Sequence, residues 1–324
     1  MSSRRPTSDN TGPDARVTIV MAVYDGAVYL PAMLDSLGAQ THPDWELLAS
    51  DDGSRDGSRA VLQRFAAKRP EGQMRIVAGP ALGFVANFIT ALTRLDPARP
   101  QWLAFADQDD VWMPQRLSDG LQALTGLNRP ALAAGPVWSV RYDLTGRRLA
   151  GGWRGAASFR NALVQNIVQG NTMLANPAAT RLLITAAQRV VAAGHWPVSH
   201  DWWAYQIVTG AGGTMRQVPT PGLLYRQHSS NVIGVNAGPR AALRRLIAAL
   251  GGERNVWSAR NSAALGCCAT LLTPEARTAL VAFHHLRAAR TPWQRLTALH
   301  QLRPRHQTRT GTVALWLAAL AGRI

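Results

Sequence analysis

Residues 17–26, VTIVMAVYDG, decide how the rest of the chain is read. Val17–Val23 is an almost unbroken apolar and β-branched run without polar alternation. That is the pattern of a parallel strand buried on both faces. The polar pair Tyr24-Asp25 ends it. The arrangement then repeats. An amphipathic helix is expected over about Ala27–Ala39, and a strand over Trp45–Ser50 runs into DDGSRDGS (51–58). A helix follows over about Arg59–Ala67, then a short strand over Met74–Val77. Phe84–Leu95 reads as a helix, with Phe84, Phe88, Leu92 and Leu95 at helical spacing. Gln101–Ala106 is a strand that delivers FADQDDVW (105–112), and Pro114 suits the first turn of the next helix. Strands alternating with helices predict an α/β fold with a mostly parallel sheet, and such sheets bind ligands beyond the carboxyl ends of their strands. Three polar clusters lie at such ends: Tyr24-Asp25, Asp51-Asp52-Gly53 and Asp107–Asp110. They should meet in one crevice.

Beyond Ala131 the pattern is mixed. ALAAGPVWSV (131–140) reads as a strand, RYDLTGRRLAGGW (141–153) as a polar hairpin or loop, and QGNTMLANP (169–177) as a strand running into a helix. HDWWAYQIV (200–208) reads as a short helix and YRQHSSNVIG (225–234) as a strand entering a loop. From Pro239 to Ile324 helices are expected, with Arg on their polar faces. Residues 1–15 read as a disordered tail, 16–236 as the catalytic domain and 237–324 as a basic helical region.

The chain carries a net charge of +16, and only Lys68 among its 35 basic residues is a lysine. The distribution of charge says more than the total. From Asn236 onward 13 Arg face two acids, Glu253 and Glu275, which accounts for +11 of the charge. A basic C-terminal third suits an anionic surface, with membrane phospholipid ahead of nucleic acid. Cys267 and Cys268 are the only cysteines, so neither a disulfide framework nor a zinc site is expected, and a reducing cytosol fits. No apolar run is long enough to span a bilayer.

Three carboxylates within four positions repel one another unless a cation offsets them. Asp107 and Asp109, spaced i and i+2 at a strand end, suit a hard divalent cation that also holds substrate phosphates. Alone, such a pair is more often a solvated turn. The two companion clusters favour a nucleotide diphosphate site. Gly53 allows close backbone approach, a carboxylate beside it suits the N3–H of uracil or thymine, and Asp56 suits a turn into the following helix.

Taken in order, residues 17–58, GFVANF (83–88) and FADQDDVW resemble a family 2 inverting glycosyltransferase of the GT-A fold, a Rossmann-like sheet here followed by a helical extension. QGNTML, HDWW and YRQHSSNVIG resemble the subset that contains bacterial rhamnosyltransferases of surface-polysaccharide assembly, lipopolysaccharide included. The resemblance implies a donor pocket of Ala22, Tyr24, Asp25, Asp52, Asn87, Asp107 and Gln108, with Asp52 on the pyrimidine. It implies Asp109 and His228 as ligands of Mg²⁺ or Mn²⁺. Asp201 matches the catalytic base, although His200 stands where Glu more often precedes it. Asn171, His200, Trp202 and Trp203 are candidates for the acceptor or sugar pocket, with one tryptophan expected in the core. Arg226 is balanced between assisting the diphosphate and lying on the surface. The implied donor is dTDP-L-rhamnose, with UDP-hexoses as alternatives, and the acceptor is a glycan, lipid-linked in many relatives. The Q-x-x-R-W segment of processive members is absent after Asp201, so single-sugar transfer is expected. The location implied is cytoplasmic, with peripheral contact at the inner face of the membrane and room for a homo-oligomer.

Rivals fare worse. A nicotinamide-binding sheet needs a glycine-rich turn after its first strand, and VYDGAVYL is not one. An Asp-nucleophile phosphatase carries its D-x-D after the first strand, not the fourth. A nucleic-acid-binding module rests on charge alone.

Overall fold

A computed structural model describes residues 15–227 and 253–323. Residues 1–14 of the expected tail (1–15), His228 and the following loop, and the start of the basic region lie outside the described residues, while Ala15 is buried in the core rather than part of a tail. The strands are β1 (Val17–Val23), β2 (Trp45–Asp51), β3 (Met74–Ala78), β4 (Trp102–Asp107), β5 (Val111–Trp112) and β6 (Ala131–Ala134). They continue with β7 (Pro136–Arg141), β8 (Arg148–Gly151), β9 (Leu174–Ala175), β10 (Thr214–Gln217) and β11 (Leu223–Gln227). The helices are α1 (Leu30–Gly38), α2 (Ser58–Ala66), α3 (Phe84–Leu92), α4 (Arg116–Ala123), α5 (Phe159–Ala162), α6 (Pro177–Ala193) and α7 (His200–Gly210). Four more follow: α8 (Glu253–Gly266), α9 (Pro274–Ala288), α10 (Pro292–Leu302) and α11 (Arg309–Leu320).

Seven strands form one sheet in the order β10-β6-β9-β4-β1-β2-β3. β1 to β4 are parallel, and β9 runs antiparallel between β4 and β6. Every residue of β1 is buried, as its unbroken apolar run requires. A smaller sheet, β5-β11-β7-β8, stands beside the first. The expected single strand over 131–140 is therefore two strands in different sheets, parted at Gly135. An added Cβ there would lie 2.8 Å from the Val218 carbonyl, so the close approach of a distant segment sets the break. Residues 141–151 form the expected hairpin.

Other boundaries move. Pro114 precedes α4 by two residues, because β5 takes the chain across to β11 first. Gly170–Thr172 is a 3₁₀ turn rather than a strand, and only Leu174–Ala175 joins the sheet. α3 ends at Leu92, short of Leu95.

One apolar core runs from the sheet into the C-terminal helices. Val20, Phe88, Phe105, Trp203 and Ile207 share a cluster with Leu265, Phe283, Leu299, Leu302, Leu315 and Ala319. The basic helices thus complete the core that α3, α6 and α7 begin.

Candidate active site at the carboxyl edge of the sheet

Register fixes the convergence of the polar clusters. Ala22 in β1 lies opposite Ser50 in β2 and Asp107 in β4, and Val23 lies opposite Asp51. Tyr24-Asp25, Asp51-Asp52 and the Asp107–Asp110 loop therefore leave the sheet along one edge.

The first two loops are stitched together. Asp25, held at φ 44°, accepts from the Arg55 amide through Oδ1 at 2.7 Å. The Asp25 amide donates to Ser54 Oγ at 3.0 Å, and the Ala27 amide donates to Asp56 at 2.9 Å. Asp56 also accepts from the Ser58 amide at 2.8 Å, which is the expected turn into α2. Gln108 reaches across to Tyr24, accepting from its amide at 2.9 Å and donating to its carbonyl at 2.8 Å. Its side chain so lies against Gly26 that a Cβ there would come 2.3 Å from Oε1. Gln108 thus ties two loops, and the Tyr24 ring stays exposed at the rim.

Asp52 is buried and clamps the loop between β3 and α3. Its Oδ1 accepts from the Ala81 amide at 2.7 Å and Oδ2 from the Gly83 amide at 2.8 Å. A pyrimidine would have to use the remaining lone pairs. Asn87 is buried and engaged, donating to the Ser50 carbonyl at 2.8 Å and accepting from Ser50 Oγ at 2.5 Å. It stands on the floor beneath the crevice.

The acidic loop rests on a buried support that sequence reasoning missed. Arg116, in the first turn of α4, runs under it with its guanidinium 3.5 Å from the Trp112 ring centre. It donates to the carbonyls of Asn171 at 2.5 Å, Phe105 at 3.2 Å and Met173 at 3.2 Å. Asn171 in turn donates to Asp110 Oδ2 at 2.6 Å. Asn171 is therefore a buried strut between the acidic loop and the 3₁₀ turn. Burial lowers Arg116 to about 9 against the pull of Asp110 and Asp107. Burial, reinforced by Asp107 and Asp109, holds Asp110 well above the usual carboxylate range against its hydrogen bond from Asn171. The signal for this support was present in the sequence as an Arg six residues after Asp110, but nothing local shows that it turns inward.

Asp107 keeps an edge toward solvent, yet lost hydration and then the charges of Asp109 and Asp201 raise it to about 8. Asp201 thus acts on the acidic loop from the start of α7. Its Oδ1 accepts from Ser199 Oγ at 2.5 Å and from the Trp202 amide at 2.6 Å. Among the described residues Oδ2 accepts no hydrogen bond. Arg226 is buried rather than on the surface. It donates to the Asp109 carbonyl at 3.0 Å and to the Tyr142 carbonyl, bracing the acidic loop from β11.

His200 and the tryptophans lie deeper than the expected pocket wall. The imidazole stacks on Phe88 at 3.9 Å between centroids and meets the edges of Phe105 and Phe84. Both ring nitrogens are buried without a partner among the described residues. Burial lowers the imidazole to about 4, against the attraction of Asp201. Gly170 packs so closely that a Cβ there would lie 2.2 Å from His200 Nε2 and 3.2 Å from Asp201 Cβ. Trp203 is fully buried and belongs to the core, as expected of one of the pair. Trp202 is half-buried, and its indole donates to the Ala162 carbonyl at 2.6 Å.

Among the described residues no group of three or more His, Cys, Asp or Glu is arranged as a complete metal cage. The donors present still fit a divalent cation that shares its coordination with phosphates, which needs only one or two carboxylates. Asp107 and Asp109 would supply those carboxylates, and the charge of Asp109 adds to the burial that raises Asp107, an opposition that a cation would offset.

Residues 18–174 match the family model described as Glycosyl transferase family 2. The dTDP-rhamnosyl transferase RfbG of Shigella flexneri is 23% identical over 73% of this chain and 80% of its own. A UDP-Glc:alpha-D-GlcNAc-diphosphoundecaprenol beta-1,3-glucosyltransferase of Escherichia coli is 32% identical over 32% of this chain and 39% of its own. The chain spans from 30% to 80% of the length of the curated relatives considered. The crystal structure of S. aureus TarS gives a TM-score of 0.50 at 12% identity, covering 95% of this chain and 53% of that one, a likeness of fold.

Proposed function

Because this chain belongs to the family 2 glycosyltransferases, its residues 18–174 forming that domain in a GT-A fold, we propose that it transfers a single sugar, with inversion, from a nucleoside diphosphate to a hydroxyl of a glycan acceptor. The observation that carries the reading is Asp201. One of its oxygens is pinned by Ser199 and the Trp202 amide, the other accepts no hydrogen bond among the described residues, and the carboxylate lies within electrostatic reach of Asp107. In an in-line displacement the attacking hydroxyl must lose its proton, and a carboxylate held in one orientation is the group to take it. Pinning through Oδ1 fixes the direction in which Oδ2 presents its lone pairs, so little reorganisation is needed at the moment of attack.

The donor nucleotide lies along the edge shared by β1, β2 and β4. Tyr24 and Asp25 flank the base and ribose, and Asp52, which clamps the loop between β3 and α3, is assigned to the pyrimidine. Asp109 would hold the metal, with Asp107 beside it nearer the ribose. When bound, the divalent ion supplies positive charge that stabilises the departing diphosphate. The matched C-terminal histidine, His228, is assigned to the same ion by resemblance. Residues 16–236 are assigned as the catalytic unit in this reading, and 237–324 as a basic region whose described part carries α8 to α11.

The donor we assign is dTDP-L-rhamnose, supported by the relative of Shigella flexneri that spans most of this chain. A UDP-hexose is the second reading, supported by the shorter but closer match to the Escherichia coli enzyme. The acceptor is assigned as lipid-linked, which places transfer at the cytoplasmic face of a membrane.

Asp201→Asn tests the assignment of the base. The amide keeps the shape and cannot take a proton, so turnover should fall on the order of a hundredfold or more while donor affinity holds. A collapse of donor affinity with turnover per bound donor intact would place Asp201 in the donor pocket instead. A panel of dTDP- and UDP-sugars, read by thermal stabilisation and then by transfer, separates the two donors.

A further inference from the structure

We infer that the outward faces of α10 and α11 form a docking surface for an anionic bilayer. α10 buries Ala298, Leu299 and Leu302, and α11 buries Leu315, Ala318 and Ala319, all in the core shared with the catalytic sheet. At helical spacing Trp293, Leu296 and His300 fall on the opposite side of α10, and Val313 and Leu317 on the opposite side of α11. Since both helices lie on one core, both opposite sides look outward. Arg295 donates to the Leu320 carbonyl at 2.9 Å and the Trp316 indole to the Pro304 carbonyl at 3.4 Å. The helices are therefore antiparallel neighbours, and the first turn of α10, with Trp293, lies beside the last turn of α11, just past Leu317.

Trp293 is 77% exposed, Leu317 63%, Val313 60% and Leu296 40%. Single exposed apolar residues are ordinary, but four large ones on two adjacent helices make a strip that invites cover. Charge selects the cover. Pro274–Ile324 contains eight Arg and one acid, Glu275. Arg290, Arg303, Arg305, Arg309 and Arg323 are exposed at the ends of α10 and α11 and in the segments joining them. An apolar strip with Trp and Leu, flanked by Arg, matches an interface of acyl chains under anionic headgroups. Among the described residues no helix is long and apolar enough to cross a membrane, so the contact is with the surface.

The docking face is joined to the catalytic helix through α5. Arg160 donates to the Gln301 carbonyl at 2.9 Å, Asn161 to the Arg305 carbonyl at 2.8 Å, and the Gln307 amide to Gln165 at 3.0 Å. On its other side α5 offers the Ala162 carbonyl to Trp202 at 2.6 Å and to Gln206 at 3.0 Å. Trp202 follows Asp201 directly. A bilayer held by α10 and α11 would thereby be tied through α5 to the helix that carries the base, and so to an acceptor carried in that bilayer. This last step rests on the proposed lipid-linked acceptor, whereas docking itself does not.

The test is co-sedimentation of the full chain with vesicles of phosphatidylglycerol and phosphatidylcholine, against phosphatidylcholine alone. Binding should be at least about tenfold tighter to the anionic vesicles, and raising salt from about 0.05 M to about 0.5 M should remove most of that preference. Trp293→Ala combined with Leu317→Ala should weaken binding about tenfold without changing the melting curve or transfer to a soluble acceptor. Arg290→Ala combined with Arg309→Ala should reduce the anionic preference. Equal binding to both vesicles, or no effect of the Trp293→Ala/Leu317→Ala pair, overturns the proposal. So does a concentration-dependent dimer that this pair abolishes, since a second copy would then be the cover. Vesicle binding is read without turnover, so failure of the proposed transferase activity leaves this result standing.

Discussion

The buried imidazole of His200 makes a quantitative claim about acid stability. Its folded value is about 4 against an ordinary 6.5, with loss of hydration the main cause. The groups around it are Phe84 and Phe88 from α3, Phe105 from β4, Gly170 from the 3₁₀ turn, and the carboxylate of Asp201. A base with a depressed folded value binds fewer protons folded than unfolded. Its stabilising effect is complete above 6.5 and is lost as pH falls toward about 4, in total about 3 kcal/mol. Between about pH 7.5 and about pH 5 the loss is about 2 kcal/mol. Asp107 and Asp110 act in the opposite sense. Their folded values are raised, so the cost of keeping them charged is relieved as pH falls. The wild-type profile alone therefore mixes opposing slopes. Denaturant unfolding of wild type and His200→Asn at both pH values isolates the histidine, because a fixed cost of the substitution cancels in the difference of differences. Wild type should lose about 2 kcal/mol more than the variant on acidification. Parallel losses, or a larger loss in the variant, would refute the reasoning. NMR of the histidine ring carbons adds a direct check, as His200 should remain neutral at about pH 5 while exposed histidines are protonated.

Three other outcomes are expected. Asp109→Ala should abolish metal-dependent stabilisation by a nucleoside diphosphate, read by calorimetry with and without Mn²⁺, and retention of that stabilisation would remove Asp109 from the metal site. Gly79→Ala brings a Cβ to 2.6 Å from Asn87 Oδ1 and 2.7 Å from Asp52 Oδ1, so it should cost about 1–3 kcal/mol of stability and raise the donor KM as the loop that Asp52 clamps is displaced. Arg116→Met strands the carbonyls of Phe105, Asn171 and Met173 and should destabilise the fold by on the order of 3 kcal/mol, measured by chemical denaturation, where a loss below about 0.5 kcal/mol would show that the support is dispensable.

The alternation of buried strands with helices and the polar clusters at the strand ends were legible in the sequence because both are local. Val17–Val23 reads as a strand covered on both faces, and parallel packing sends the polar clusters to one edge, while the register that brings Ala22 level with Ser50 and Asp107 is seen in the structure. The short helix carrying Asp201 was legible for the same reason. What only the tertiary structure decided is which way side chains turn where distant segments meet. ALAAGPVWSV looks like one strand, yet the Val218 carbonyl pressing on Gly135 sends its halves into two sheets. Nothing local shows which way Arg116 turns, and Arg226 is balanced between the site and the surface, but backbone carbonyls brought from Phe105, Asp109, Asn171 and Met173 draw both inward. Asn171 and His200 have the chemistry of pocket residues, and their burial follows from Asp110 and from the aromatic rings of α3 and β4, which lie far away in the chain. A periodic pattern records how much of an element is covered. It does not record by what, and at this site the identity of the covering group separates a residue that touches substrate from one that holds such a residue in place.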